Sequence, residues 1–276
     1  MSARDFLMSV VVIVAVMLVS TVAEGVAPLF ARQQVQQGRT AANLGLTALT
    51  LGLNGALAAA AAIIAVALSF DRPGLMARLA FPSAVQIVAS IVVLDFFFGY
   101  LAHRAMHVST ALWRVHRVHH SDRFVDVTTA YRTHPIEVVW RFLFMLVPVW
   151  VLGLPAEAVV IYRVLSAING VLEHANVRPR RSLDRIVSLI WVTPNMHKVH
   201  HSNDSTETDS NYGNILSLYD RLLRTFTPTD RAFSVVYGLN DADTVRAASL
   251  LRLLSMPFHG VELANRKSAG TARSAA

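Results

Sequence analysis

Eight of the eleven histidines in this chain fall into three short clusters: His103 and His107; His116, His119 and His120; and His197, His200 and His201. The patterns are H-x-x-x-H and, twice, H-x-x-H-H. Residues three and four apart share one face of a helix, so each cluster aims its imidazoles in one direction. A divalent metal satisfies such crowded nitrogens, and zinc, iron, copper and nickel all accept imidazole. His174 follows an apolar stretch and reads as a ninth ligand. His134, before Pro135, is either a further ligand or a helix cap, and His259 reads as a surface residue. Eight or nine nitrogens are too many for one four- to six-coordinate ion, so counting alone calls for two metals. In each H-x-x-H-H set the first and last histidines reach toward one ion and the middle one toward the other. Structural zinc has little use for nine imidazoles, which favours a redox-capable pair over histidines merely solvated on a polar face.

The elements that position these clusters are apolar. The chain has 276 residues, 54% of them hydrophobic, and a mean hydropathy of +0.44, a composition expected of an all-α integral membrane protein. Residues 6–23 carry no charge and are long enough to cross roughly 30 Å of hydrocarbon; a signal peptide competes for this segment, although Glu24 stands where a small-residue cleavage site would be expected. Residues 40–70 form a second uncharged stretch, and a third runs from about Ser83 to Ala102, straight into His103. From Phe142 to Leu172 the apolar run is interrupted by Pro148, Gly153 and Pro155, which suggests two half-length helices in a hairpin that returns His174 to the side of His134. The expected organisation is N-terminal transmembrane helices over 1–78, a helical di-metal core over 79–230 that includes a membrane hairpin at about 140–174, and a C-terminal segment over 231–276. About four spans or half-span hairpins thus carry a histidine-rich domain on the cytoplasmic side. An amphipathic interfacial helix is expected at Leu183–Val192 and a disordered tail from Arg266.

With no cysteine, the chain carries no disulfide, thiolate zinc site or iron–sulfur cluster of its own. Its net charge of +7 is nearly all arginine, lysine occurring only at Lys198 and Lys267, and it gathers around the histidines. No nucleic-acid module accompanies that charge, so anionic lipid headgroups are the better counter-charge. Arg32 and Arg39 on one side of the spans, against Asp71, Arg72 and Arg78 on the other, place the histidines at the cytoplasmic face. The Ala-, Val- and Arg-rich composition suggests a bacterial chain, hence an inner membrane.

The ordered motifs carry a resemblance. His103-Arg104-x-x-His107, Trp113-Arg114-x-His116-x-x-His119-His120-Ser121 and Arg132-x-His134-Pro135-x-Glu137 are followed by Glu173-His174-x-Asn176, Pro194-x-Met196-His197-x-x-His200-His201-Ser202, Asn211-Tyr212-Gly213 and Leu218-Tyr219-Asp220. Over roughly residues 80–226 the chain resembles the fatty acid hydroxylase/sterol desaturase superfamily of membrane oxygenases. The resemblance implies two iron ions, liable to replacement by zinc on purification, that activate dioxygen to hydroxylate, desaturate or cleave a lipid. It implies that His103, His107, His116, His119, His120, His197, His200 and His201 are the ligands, with His174 a ninth. The chain departs from the pattern after Asp220, where Leu223-Arg224-Thr225 replaces a Phe-Gly-Thr-like turn, and at Tyr219, where tryptophan is common.

Supporting residues also follow. Asp95, Gly99, His103 and His107 recur every four residues, so the Asp95 carboxylate is expected on the histidine face, within hydrogen-bonding reach of an imidazole. Glu173, Asn176 and Asp220 are expected to surround the ligands in the same way, whereas Arg163 is expected to snorkel or to pair with an acid. The leading function is a lipid monooxygenase acting on a sterol or hopanoid, a fatty acyl chain, an ether lipid or an aminolipid. A desaturase would use the same ligands. A metal transporter would place its ligands in mid-span among carboxylates, and a haem protein would oppose axial histidines across spans. No dinucleotide-binding glycine motif is present, so electrons are expected from a separate ferredoxin or reductase.

Overall fold

Inside hydrocarbon every backbone amide must find its carbonyl within the same segment, and the uncharged stretches accordingly coil into long helices. The computed structural model describes residues 3–31, 37–67, 75–79, 81–239 and 248–259; these are predominantly helical, with three isolated bridge pairs and no strand. Four helices are long and apolar enough to cross a membrane: α1 (Ala3–Val26), α2 (Arg39–Ala67), α3 (Ser83–Val108) and, after α4 (Thr110–His120), α5 (Pro135–Leu152). Their outer faces suit lipid, as Leu18, Val19, Val22, Trp150 and Val151 are all largely exposed. The chain is an all-helical membrane protein.

The apolar run after Phe142 departs from expectation. It belongs to two helices of nearly equal length, α5 with 18 residues and α6 (Ala156–His174) with 19, or about 27 and 28 Å of axis, of which α5 is among the four candidate spans. Pro148 lies within α5 without ending it. The turn comes at Gly153, whose φ of 60° is a left-handed conformation that glycine adopts without strain. The hairpin does return His174 to the histidines.

Short helices complete the core. α4 begins at Ser109, whose hydroxyl accepts from the Leu112 amide. Helix α7 is Arg181–Val187, and α8 (Pro194–His200) starts with a Thr193 cap and proline in its first turn. The expected interfacial helix is thus shorter than Leu183–Val192, but Leu183, Ile186 and Ile190 remain exposed. Farther on lie α9 (Leu218–Leu222) and α10 (Leu250–Ser255). Arg32, Asp71, Arg72 and the tail from Arg266 lie outside the described residues.

Buried polar contacts fasten the N-terminal helices to this core. Glu24 at the end of α1 accepts from the amides of Val127 (2.9 Å) and Asn176 (2.7 Å). Arg39 at the start of α2 donates to Asp122 (2.6 Å) and Asp126 (2.9 Å), on the histidine side. Arg132 donates to Asn43 on α2 (2.6 Å), to Ser121 (2.8 Å) and to the Val118 carbonyl (3.0 Å), one of those left open at the end of α4. The segment that carries His119 and His120 is therefore clamped from two sides.

Candidate metal centre

Nine histidines converge in two adjoining buried groups. In one, His103, His107, His116, His120 and His200 bring a ring nitrogen each to within 4.8 Å of one another; in the other, His119, His174, His197 and His201 do the same. The split follows the spacing. His116 and His120, four apart on α4, join the first group and His119 the second; His197 and His201 join the second and His200 the first. The rings of His120 and His201 stack across the boundary, 4.7 Å between centroids.

The outer nitrogens of five rings decide their tautomers. His103 Nδ1 donates to the Tyr212 carbonyl (2.9 Å), His200 Nδ1 to that of Ser210 (2.7 Å), and His174 Nδ1 to that of Gly170 (2.6 Å). His116 Nδ1 donates to Glu137 Oε2 (2.9 Å) and His107 Nδ1 to Asp209 Oδ1 (3.1 Å), while His120 Nδ1 lies 3.5 Å from the Thr208 hydroxyl. A neutral imidazole that spends its proton on Nδ1 has a bare lone pair on Nε2. Yet His103 Nε2 and His116 Nε2 face each other at 3.0 Å, and His174 Nε2 is 3.1–3.2 Å from the Nε2 atoms of His119, His197 and His201. The bare lone pairs of His103 and His116 repel at that distance unless a cation lies between them, and the lone pair of His174 meets three rings whose own Nδ1 atoms have no hydrogen-bond partner. The separations approach the roughly 3.3 Å edge of a tetrahedron built on metal–imidazole bonds of about 2.0–2.1 Å. His120 Nε2 and His200 Nε2 are buried without a hydrogen-bond partner. A metal in each group fits the residues present.

Protonation points the same way. Burial, followed by the fields of neighbouring imidazoles, pushes His119, His120, His197 and His201 well below the usual histidine value, and burial takes His200 down to about 3. These rings are neutral near pH 7, the form that binds metal.

The remaining predicted residues separate. His134 stands outside both groups: its Nδ1 accepts from the Ile136 amide and its Nε2 donates to the Leu254 carbonyl (3.1 Å), so both nitrogens are used in capping α5 and holding α10. His259 is exposed. Asp95 is buried, but it bonds no imidazole. It accepts from the amides of Ile215 (3.2 Å) and Leu216 (2.9 Å), because α3 widens into a π-helix over Asp95–Leu101 and the four-residue register to His103 is broken. Asp220 accepts from the amides of Tyr212 and Gly213, both at 2.8 Å. The two carboxylates thus anchor the loop whose Tyr212 carbonyl orients His103. A Cβ on Gly213 would come 2.8 Å from the Leu216 carbonyl, so glycine alone permits this close turn. Glu173 lies 3.8 Å from His197 Nε2 and accepts from Asn169 (3.3 Å). Asn176 bonds the backbone of Phe30 and forms no hydrogen bond to a histidine. Arg163, expected to snorkel or to pair with an acid, donates to the Asn54 amide oxygen at 3.1 Å.

Sequence reasoning passed over two carboxylates that matter. Glu137, in the first turn of an apolar helix, carried the same signal that drew attention to Asp95; Asp209, in a polar loop, carried none.

A cavity of about 190 Å³ opens between α1, α2, α5 and α6 and is lined by His103, His119, His174, His197 and Glu173 of the centre. Elsewhere its wall is mostly apolar, with Phe6, Val10, Ile13 and Leu51. Its volume far exceeds the roughly 10–15 Å³ that one water needs.

Comparison with known proteins agrees with this geometry, for the fatty acid hydroxylase family profile matches residues 87–225, which hold all nine histidines. The chain belongs to the fatty acid hydroxylase family. Among curated relatives in the family's reach, ornithine lipid hydroxylase OlsE of Rhizobium tropici is 33% identical over 177 residues, 64% of this chain and 51% of that protein. Alkylglycerol monooxygenase of Caenorhabditis elegans is 27% identical over 145 residues (52% and 27%), and that of Homo sapiens 28% over 143 residues (51% and 31%). This fatty acid hydroxylase family member therefore spans about half the length of the first relative and a third or less of the others. No solved structure matches it significantly.

Proposed function

We propose that the chain is a dioxygen-dependent lipid monooxygenase that works with two iron ions. One would be held by His103, His107, His116, His120 and His200, the other by His119, His174, His197 and His201. The observation that carries this reading is the convergence of nine imidazoles in two groups, with the lone pairs of His103 and His116 opposed, at a cavity whose walls are mostly apolar. Bound iron would supply the oxidising power that places one oxygen atom of dioxygen into a C–H bond, the other leaving as water with two electrons and two protons.

The protein's own contribution is positional. Glu137, Asp209 and the carbonyls of Tyr212, Ser210 and Gly170 hold the imidazole tautomers and fix each ring's direction. Trp113 packs against the rings of His107 and His120, 5.1 and 5.3 Å between centroids, and helps keep water out. The cavity binds the hydrocarbon part of the substrate and brings a carbon to the histidines. Electrons would come from a separate ferredoxin or reductase, since the sequence has neither cysteine for an iron–sulfur cluster nor a dinucleotide-binding glycine motif. The reading places the centre at the cytoplasmic face of a bacterial inner membrane. In support, Arg39 lies on the histidine side, and the exposed Leu183, Ile186 and Ile190 lie beside Arg180, Arg181 and Arg185, a composition suited to an anionic interface.

The test compares cells that make the intact chain with cells that make His200→Ala, grown under isotopically heavy dioxygen. The intact chain should purify with iron, and its cells should contain a lipid heavier by one labelled oxygen that the variant lacks. If the variant kept its iron and the lipid extracts did not differ, the reading would be overturned.

A further inference from the structure

The cavity wall carries one charge that the chemistry at the histidines does not use. Arg163 lines it from α6, and its Nη2 donates to Asn54 Oδ1 on α2 at 3.1 Å. Asn54 is itself held by donating to the Thr50 carbonyl (2.9 Å), so it fixes the guanidinium without neutralising it. The two acids on the same wall are engaged elsewhere, Glu137 with His116 and Arg141 and Glu173 with Asn169. No ion pair forms at Arg163 among the described residues.

Tyr131 lines the same space, and its buried hydroxyl makes no hydrogen bond. Burial raises the phenol's pKa and the charge of Arg163 works against that rise, so the two side chains feel each other across the cavity. A cation without a counter-charge and a hydroxyl without an acceptor are both costly in a medium of low dielectric constant. A group with negative charge and more than one acceptor oxygen relieves both at once.

We propose that Arg163 and Tyr131, braced by Asn54, form an anion-binding subsite in this cavity, which takes the carboxylate or phosphate of an amphiphile whose hydrocarbon chain runs toward His174. The room for such a chain is visible. Arg163 precedes His174 by eleven residues on α6, about 16 Å of helix axis. Ala167 and Gly170, four and seven residues on, line the stretch between, and a Cβ built on Gly170 meets nothing within 4 Å. The subsite therefore measures the distance from the anion to the carbon presented to the histidines. That last step rests on the lipid monooxygenase reading; the binding itself does not.

The test uses the full-length protein in detergent and the binding of dodecanoate, dodecyl phosphate and dodecanol, followed by their shift of the unfolding temperature. Wild type should hold at least one anion about 10-fold or more tighter than the alcohol, and whichever anion is tighter names the source. Arg163→Gln should erase the preference. Tyr131→Phe removes a hydroxyl that holds nothing in the fold, so it should weaken anion binding several-fold and leave the ligand-free unfolding temperature in place. Equal affinity of wild type for anions and alcohol overturns the proposal, as does an unchanged anion preference in both variants, whether or not they unfold earlier. Failure of the monooxygenase reading would appear instead in the iron content and lipids of the His200→Ala cells, which this assay does not touch.

Discussion

His116 Nδ1 donates to Glu137 Oε2 at 2.9 Å, and the other oxygen of that carboxylate accepts from Arg141 Nε at 3.0 Å. The imidazole is thus held in one tautomer by an acid that is itself held, and its Nε2 is left bare toward His103. Outer partners of this kind typically change metal affinity by about 10- to 100-fold. Glu137→Gln keeps an oxygen acceptor but loses the charge, and Glu137→Ala loses both. Iron affinity measured by competition with a chelator should fall within that range for the glutamine variant and further for alanine. Unchanged affinity in both would show that Glu137 does not orient a ligand.

The clamp on the α4 end makes a second prediction. Arg39 and Asp122 are buried and bonded at 2.6 Å, with Asn43 and Thr129 satisfying the second oxygen of the acid. Removing one partner of a buried pair leaves the other charge uncompensated, at a cost of about 3–5 kcal/mol. Arg39→Met should lower the unfolding temperature strongly, and the double variant Arg39→Met with Asp122→Leu should recover part of the loss. A single variant as stable as wild type would show that the pair holds nothing.

Much of the centre was legible because the ligands obey helix spacing. Two H-x-x-H-H sets on α4 and α8 fixed the division of His116, His119, His120, His197, His200 and His201 between two groups, since positions four apart aim together and the third residue does not. What failed to read depended on contacts distant in sequence. Asp95 looked like a histidine partner because four-residue steps assume a regular helix, and the π-helix sends it instead to amides about 120 residues away. His134 and Asn176 are polar residues among the motifs, but they bond backbone at Leu254 and Phe30, partners that no local pattern names. The hairpin's turn was legible at Leu152-Gly153-Leu154-Pro155, but its first arm was expected too short because the apolar run was begun at Phe142, whereas the helix starts at Pro135 and carries Glu137 and Arg141 in its first two turns.

The metal-free protein should lose stability as the pH falls from 7 toward 5. His119, His120, His197 and His201 have folded-state values below 6.5, from burial first and then from their neighbours, so the unfolded chain takes up their protons first. Their contribution is complete above 6.5 and is lost as the pH falls below it, by up to about 1.4 kcal/mol per pH unit for each proton. Asp122 behaves in the same sense in a lower window. Burial works against its charged form, but Arg132 and Arg39 hold the carboxyl below its ordinary 3.8, so its contribution persists until the pH passes under that value. Iron should raise the unfolding temperature and shift the loss to lower pH, because protons must then displace a bound cation. Melting curves across this range, with and without iron, check both statements; a pH-independent unfolding temperature between 7 and 5 would contradict them.

The turn that ends α9 gives a prediction independent of metal. Arg224 has a φ of +57°, and the Thr225 amide donates to the Asp220 carbonyl at 2.7 Å, a helix ending that usually places glycine at the left-handed position. This is the site where the chain carries Leu223-Arg224-Thr225 in place of a Phe-Gly-Thr-like turn. A side chain in that conformation costs about 1–2 kcal/mol, and glycine gives back about 0.4–1 kcal/mol through the greater freedom of its unfolded chain. Arg224→Gly should therefore raise stability by about 1 kcal/mol or less, while β-branched Arg224→Val should lower it. Because Asp220 anchors the Tyr212 carbonyl that orients His103, the valine variant should also bind iron more weakly. If glycine destabilised the protein, contacts of the arginine side chain would have to outweigh the strain in its backbone.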